Sequence, residues 1–380
     1  MMRRFFPLIW ITLAATVLMF TSCGGVKTKN QYASQDSLAL SYANNFKVVK
    51  DARGYDCHVV TQKKDKKVDD HFRLTFRDSI SDVSMSSSEM EIPIPCKRII
   101  CLSSTQLTYF FALDYIDPIV GTNSSRRLFH KGMTQRINSG KVKRVGKQGN
   151  FNLELIASLQ PDVIFVSPFK RGGYASLKQL GIPLIPMAAY SEETPLGRAE
   201  WVKFISLFIG KEKEATVQFD QIAKEYNRLT QLTKEVKERP TVFSGKLRSG
   251  IWYVPGGNSF YAHYFRDAGA EYVFKDQYTG ARPLDFETVY AKCLDADYWR
   301  LLLPEPVGYN RQMLIKEDER YGDFDAFNRD HVFMCNIRSK PFYEENAMKP
   351  HIVLSDYIHI FHPELIPEYK PYFYEPLPNE

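Results

Sequence analysis

The chain has 380 residues, which allows one large domain or two ordinary ones. A charged fraction of 25% and an apolar fraction of 44% exclude disorder as the main state and exclude a multi-span membrane protein. The net charge of +6 is spread over short runs without a long basic stripe, so nucleic acid is not indicated as a partner; the unusual numbers are 26 Phe, 22 Tyr and 4 Trp.

Arg3 and Arg4 precede an apolar run from Phe5 to Phe20, and Thr21, Ser22, Cys23 and Gly24 follow. A basic start, a short apolar stretch and small residues read as an export signal. The segment resembles a bacterial lipoprotein signal, with residues 1–22 removed and Cys23 lipidated, although Phe20 stands where Leu is commoner. Residues 23–38 then read as a tether, and the body is expected outside the cytoplasm, at a membrane and most naturally on its periplasmic face. Cys57, Cys96, Cys101, Cys293 and Cys335 remain. Their number is odd and no CxxC occurs, so buried small hydrophobes are the best reading. No spacing of His and carboxylates converges, and no metal site is expected.

Residues 39–95 read as an extra β element. Short strand-like runs begin at Phe46 and Cys57 around Gly54 and suggest a hairpin, residues 63–70 a charged turn, and the alternation from Phe72 to Phe76 a further strand. From Arg98 the pattern changes to strands alternating with helices. Residues 103–105 cap a helix, Asn152 caps another, and residues 163–166 form a buried strand. The spacing predicts βαβ units with a mainly parallel sheet over residues 96–196. Residues 197–239 carry apolar positions at helical spacing and predict a long connecting helix, in two segments near Gly210, that ends at Pro240. Over residues 240–365 the α/β pattern resumes, with strands at residues 241–244, 252–254, 298–303 and 331–335 and a last helix over residues 349–359. Residues 366–380 form an aromatic, Pro-rich tail expected to be extended. The fold class is α/β: two Rossmann-like lobes joined by a long backbone helix, plus an N-terminal β extension.

Three blocks carry a resemblance. The first is GKQGNFNLE from Gly146 to Glu154, followed by PDVIF from Pro161. The second is ETPLGRAEW from Glu193 to Trp201. The third is VPGGNS from Val254, DAGAEY from Asp267 and PLDFE ending at Glu287. Together they resemble the substrate-binding lipoproteins of bacterial iron-chelate and corrinoid ABC importers, the two-lobed class with a helical backbone, in the version found in Bacteroidetes-type bacteria. The likeness covers roughly residues 92–363. It implies an inner-membrane permease dimer with its ATPase as partner, a small metal chelate held between the lobes, a monomeric body and no permanent cofactor. It also implies that Glu154 and Glu287, one per lobe, dock on permease arginines.

Loops that follow strands are where a cleft ligand is expected. They offer Phe129, Phe169, Tyr174, Trp252, Tyr253, Tyr278 and Tyr343 as rings, and Arg126, Arg127, Arg171, Arg248, Arg282 and Arg338 as anion-binding forks. For Trp252 and Tyr253 the competing reading is lobe core. A ferric siderophore ranks first as cargo, a corrinoid such as cobalamin second and haem third. Two other classes stay open, a surface adhesion or structural lipoprotein and a cleft hydrolase or lyase. No GxSxG, HExxH, P-loop or dinucleotide-binding glycine pattern supports an enzyme.

Overall fold

The computed structural model describes residues 36–63, 66–79, 90–123, 128–147, 149–168 and 174–380. Among these, no helix is long and apolar enough to cross a membrane. The fold is the expected one, two α/β lobes with an N-terminal β extension.

The extension is a five-stranded sheet of β1 (Asp36–Ser37), β2 (Phe46–Asp51), β3 (Gly54–Lys63), β4 (Lys66–Phe76) and β5 (Glu91–Ile94), in that spatial order. Its first four strands are antiparallel neighbours and β5 joins parallel to β4. The segment over residues 63–70, expected as a turn, is mostly strand, because β4 pairs back to Lys66. Alternation then sorts the side chains. Tyr55, Cys57, Val59, Phe72 and Leu74 are buried, while Asp56, His58, Asp69 and His71 face outward.

The first lobe contains β6 (Ile99–Cys101), α1 (Ser104–Ala112), β7 (Ile119–Thr122), α2 (Lys131–Asn138), β8 (Lys143–Arg144), the short pair β9 (Gly146–Lys147) and β10 (Asn150–Phe151), α3 (Leu153–Ser158), β11 (Val163–Val166), α4 (Ala175–Lys178) and β12 (Leu184–Pro186). Its sheet runs β12-β11-β6-β7-β8, all parallel. Ser103, His130 and Asn152 cap α1, α2 and α3 with side-chain acceptors for backbone N–H groups.

Between the lobes stand α5 (Pro195–Ile209) and α6 (Glu212–Leu232). Thr194 caps α5, Pro195 fills its first turn, and Gly210 ends it at φ +67°, a left-handed position that suits glycine. The long helical region ends at Leu232, eight residues short of Pro240; Thr233 already leaves the helix and bonds the Asp267 carbonyl at 2.7 Å. Every residue of α5 is buried, whereas α6 buries one stripe, Ala215, Phe219, Ile222, Ala223, Tyr226 and Leu229. The extension explains the difference. Phe46 packs on Trp201 and Phe204, and Phe72 on Phe204 and Phe208, so α5 is covered on the side that would otherwise meet water.

Two buried carboxylates hold the extension there. Glu200 accepts the backbone N–H groups of Ser41, Tyr42 and Ala43, and Glu192 those of Asn44 and Asn45. Lys203 pairs with Glu200 at 2.9 Å, and Trp201 donates its indole N–H to Glu192. The chain passes so closely that a Cβ at Gly197 would lie 2.9 Å from the Tyr42 carbonyl oxygen. An ionised carboxylate this deep needs several donors, and here the strap supplies them.

The second lobe contains β13 (Thr241–Ser244), β14 (Leu247–Arg248), β15 (Ile251–Pro255), α7 (Phe260–Asp267), β16 (Glu271–Tyr272), β17 (Ala281–Leu284), α8 (Phe286–Cys293), β18 (Tyr298–Leu303), α9 (Arg311–Glu317), α10 (Asp325–Asn328), β19 (Val332–Asn336), α11 (Phe342–Glu345), α12 (Pro350–Phe361) and β20 (Glu375–Pro376). Its main sheet runs β16-β13-β18-β19-β20, parallel except for β20, and β14-β15-β17 form a separate antiparallel sheet. The tail docks on this lobe. Phe373, Tyr374 and Leu377 are buried, and Asp356 of α12 accepts the N–H groups of Tyr372, Phe373 and Tyr374. The cysteines at 57, 96, 101, 293 and 335 are all free and buried, and burial pushes the thiols of Cys96 and Cys293 up to about 12. Thiols so protonated are poor nucleophiles.

Candidate functional site

The lobes touch where α1 meets α11. Glu344 of α11, almost fully buried, accepts the backbone N–H groups of Phe129 and His130 at 2.9 and 3.0 Å. Its carboxylate thus sits at the N-terminal end of α2, where N–H groups are otherwise unpaired and the helix dipole favours negative charge. Burial nevertheless holds its pKa above the ordinary glutamate value, the N–H donors offsetting part of that rise.

Beside this contact lies a cluster that sequence reasoning did not assemble. Arg198, in the first turns of α5, places its guanidinium 3.9 Å from the centre of the Phe260 ring. Arg300 of β18 lies 4.3 Å from the neighbouring Tyr261 ring, and these two rings are themselves 4.2 Å apart. Arg300 donates to Ser244 Oγ at 3.0 Å and to the Tyr374 hydroxyl at 2.5 and 3.0 Å. Both arginines are buried, with 7% and 4% of their surface exposed. Among the described residues neither has a carboxylate partner, and Arg198 Nε has no hydrogen bond at all. Burying a guanidinium without an anion is costly, even with cation–π contacts of about 1–2 kcal/mol each.

The cluster reaches solvent through Tyr343, 42% exposed. Burial pushes the Tyr343 phenol up to about 12, Tyr261 adds to the rise, and Arg300 and Arg198 pull against it, so these groups share one neighbourhood. In the first lobe, buried Gln106 reaches Ser167 Oγ at 3.5 Å, and its Oε1 has no partner. Ser103 and Ser167 stand just past β6 and β11, at the C-terminal strand ends where open α/β sheets hold ligands. The groove of about 700 Å³ lined by Leu232, Pro240, Tyr298 and Phe361 lies at the opposite end, before β18 begins.

The ring and arginine candidates separate. Tyr343 belongs to the cluster, and Phe129 is tied to it through Glu344. Trp252 does not: it is fully buried against Phe243, Trp299 and Tyr321, and its indole N–H bonds the Ser244 carbonyl, so it is lobe core. Tyr174 spends its hydroxyl on the backbone of Ser167. Arg248 and Tyr253 share the outer face of the β14-β15-β17 sheet by register, while Arg282, paired with Asp276 at 2.7 Å, lies on the other face. Tyr278 is exposed, as is Arg338. Arg126, Arg127, Phe169, Arg171 and Cys23 lie outside the described residues.

Glu154 and Glu287 occupy equivalent sites. Each is the second residue of its helix, α3 or α8, after a capping Asn152 or Asp285, and each is exposed. Glu287 is 3.8 Å from Arg320, a loose contact at the surface.

A model of the periplasmic binding protein family matches residues 99–337, and the chain belongs to that family of solute-binding proteins. It is 30% identical over 294 residues to an uncharacterized lipoprotein of Methanocaldococcus jannaschii, covering 74% of this chain and 69% of the relative. Among solved structures, an ABC transporter substrate-binding protein from Listeria monocytogenes superposes with a TM-score of 0.57 at 17% identity, covering 70% of this chain and 99% of that one. The IsdE protein of S. aureus, solved with haem, gives 0.56 at 18%, covering 70% and 98%. At such identities the structures establish the fold. The family and its lipoprotein relatives support an exported, membrane-anchored protein.

Proposed function

We propose that the chain is the binding component of an ABC importer, that it captures an anionic ferric chelate of the siderophore kind between its lobes, and that it delivers the chelate to a membrane permease driven by an ATPase. The observation that carries this reading is the pair of buried guanidiniums, Arg198 and Arg300, without carboxylates and stacked on Phe260 and Tyr261. A polyanionic aromatic chelate suits that pair twice, by charge and by stacking. Glu154 and Glu287 serve as docking points, orienting the loaded protein and speeding encounter more than they add affinity. The N-terminal lipid holds the body at the membrane, and the chelate is cargo rather than resident cofactor.

The test is native mass spectrometry and absorbance titration with ferric siderophores, cobalamin and haem. A one-to-one complex with a ferric siderophore is expected, weakened about tenfold or more by Arg198→Ala. Tighter binding of cobalamin or haem would replace the cargo, and binding of none would overturn the reading.

A further inference from the structure

The extension carries a feature outside the segment that the family model matches. Asp56 and His58 are two apart on β3 and so share a face. Antiparallel register sets His71 of β4 directly opposite His58, on the same outward face. The two imidazoles stack with centres 4.5 Å apart. His71 Nε2 lies 2.5 Å from Asp56 Oδ1, and His58 Nδ1 lies 3.1 Å from Asp69 Oδ2. One ligand atom from each of Asp56, His58 and His71 falls within 4.8 Å of the other two. No converging spacing was expected from the sequence, since the histidines are thirteen positions apart and meet through strand pairing.

We propose that Asp56, His58 and His71 form a surface site for a divalent cation of the zinc type. Two imidazoles and a carboxylate are the donor set such ions take, with bonds of about 2.0–2.2 Å and donor atoms about 3.3 Å apart. The three donor atoms lie within 4.8 Å of one another, and their side chains share the outward face of a paired backbone. Asp69, on the Nδ1 of His58, is the carboxylate that orients a ligating ring. The fourth position faces water, so an exchangeable ligand or a donor from another molecule fits there. The site is separate from the Arg198–Arg300 cluster, and cation binding here does not depend on the cargo.

The experiment uses the full chain in detergent, with zinc chloride in competition with a chromophoric chelator and cobalt chloride followed by visible absorption. The wild type is expected to bind one equivalent and to show the intense bands of a low-coordinate cobalt site. His58→Ala and His71→Ala should each weaken zinc at least about tenfold, and Asp69→Asn about tenfold. Melting without metal should change little in these variants, because both rings lie on the outward face, while zinc should raise the melting temperature of the wild type and of Arg198→Ala more than that of the histidine variants. Arg198→Ala must bind zinc normally. Absence of stoichiometric binding in the wild type would overturn the proposal, and so would equal affinity in the histidine variants.

Discussion

The two lobes are built to one plan and filled differently. In the first, β7-β6-β11-β12 lie side by side, and in the second β16-β13-β18-β19 do so in the same order. Asp162, before β11, accepts the N–H of Arg98 at 2.8 Å at the start of β6; Asp297, before β18, accepts that of Thr241 at 2.8 Å at the start of β13. The aspartates align Val163, Ile164 and Phe165 with Tyr298, Trp299 and Arg300. One face of the first sheet has an aliphatic core of Ile100, Val120, Ile156, Ile164 and Leu177. The matching core of the second is aromatic: Trp299 packs on Phe243 at 5.2 Å and on Trp252 at 5.9 Å. On the opposite face Phe165 packs on Phe110 and Phe208, while Arg300, its counterpart, lies among Tyr261, Tyr357 and Tyr374. Topology therefore constrains the backbone ties and the helix starts, and leaves the side chains free to make one lobe a scaffold and the other the home of a fixed positive charge.

Four sets of substitutions break or sharpen this contrast. Trp299→Ala should have the largest effect, lowering unfolding free energy by about 3–5 kcal/mol, whereas Ile164→Val at the matched position should cost about 0.5–1.5 kcal/mol; both are read by denaturant melts. Arg300→Phe, which imports the residue of the first lobe, should leave a folded protein and lower chelate affinity about tenfold in a binding titration. Unchanged affinity would make Arg300 a packing residue only. Asp162→Ala and Asp297→Ala should each cost about 1–3 kcal/mol, by similar amounts if the ties are equivalent, measured again by melts. The smallest stability change, within about 0.5 kcal/mol, is expected for Glu154→Lys and Glu287→Lys, yet the double variant should lose uptake while its chelate affinity stays intact. Unchanged uptake would remove both residues from the docking role.

Local signals were legible in the sequence because their causes are local. Residues 103–105, Asn152 and Gly210 mark helix ends through caps and a left-handed φ, and the structure uses these signals. The buried strand at residues 163–166 read correctly as a continuous apolar run. What failed was long-range. Arg198 stands inside the ETPLGRAEW block with nothing local to single it out, and Arg300 sits within an apolar strand, so only tertiary packing reveals that they converge. Trp252 follows a loop, which left ligand contact and lobe core both open, and lobe packing consumes it. The stacking of His58 on His71 depends on a register that neither strand encodes alone. The aromatic excess is spent largely on the second lobe, where rings fill the core that the first lobe builds from Ile, Leu and Val.

The strap of residues 41–45 has a mechanical meaning. Glu200 of α5 and Glu192, just before that helix begins, fasten it to the segment that runs between the lobes. Five backbone N–H groups on two carboxylates thus join the strap to its support, so losing either acid would loosen the extension from the helix it covers.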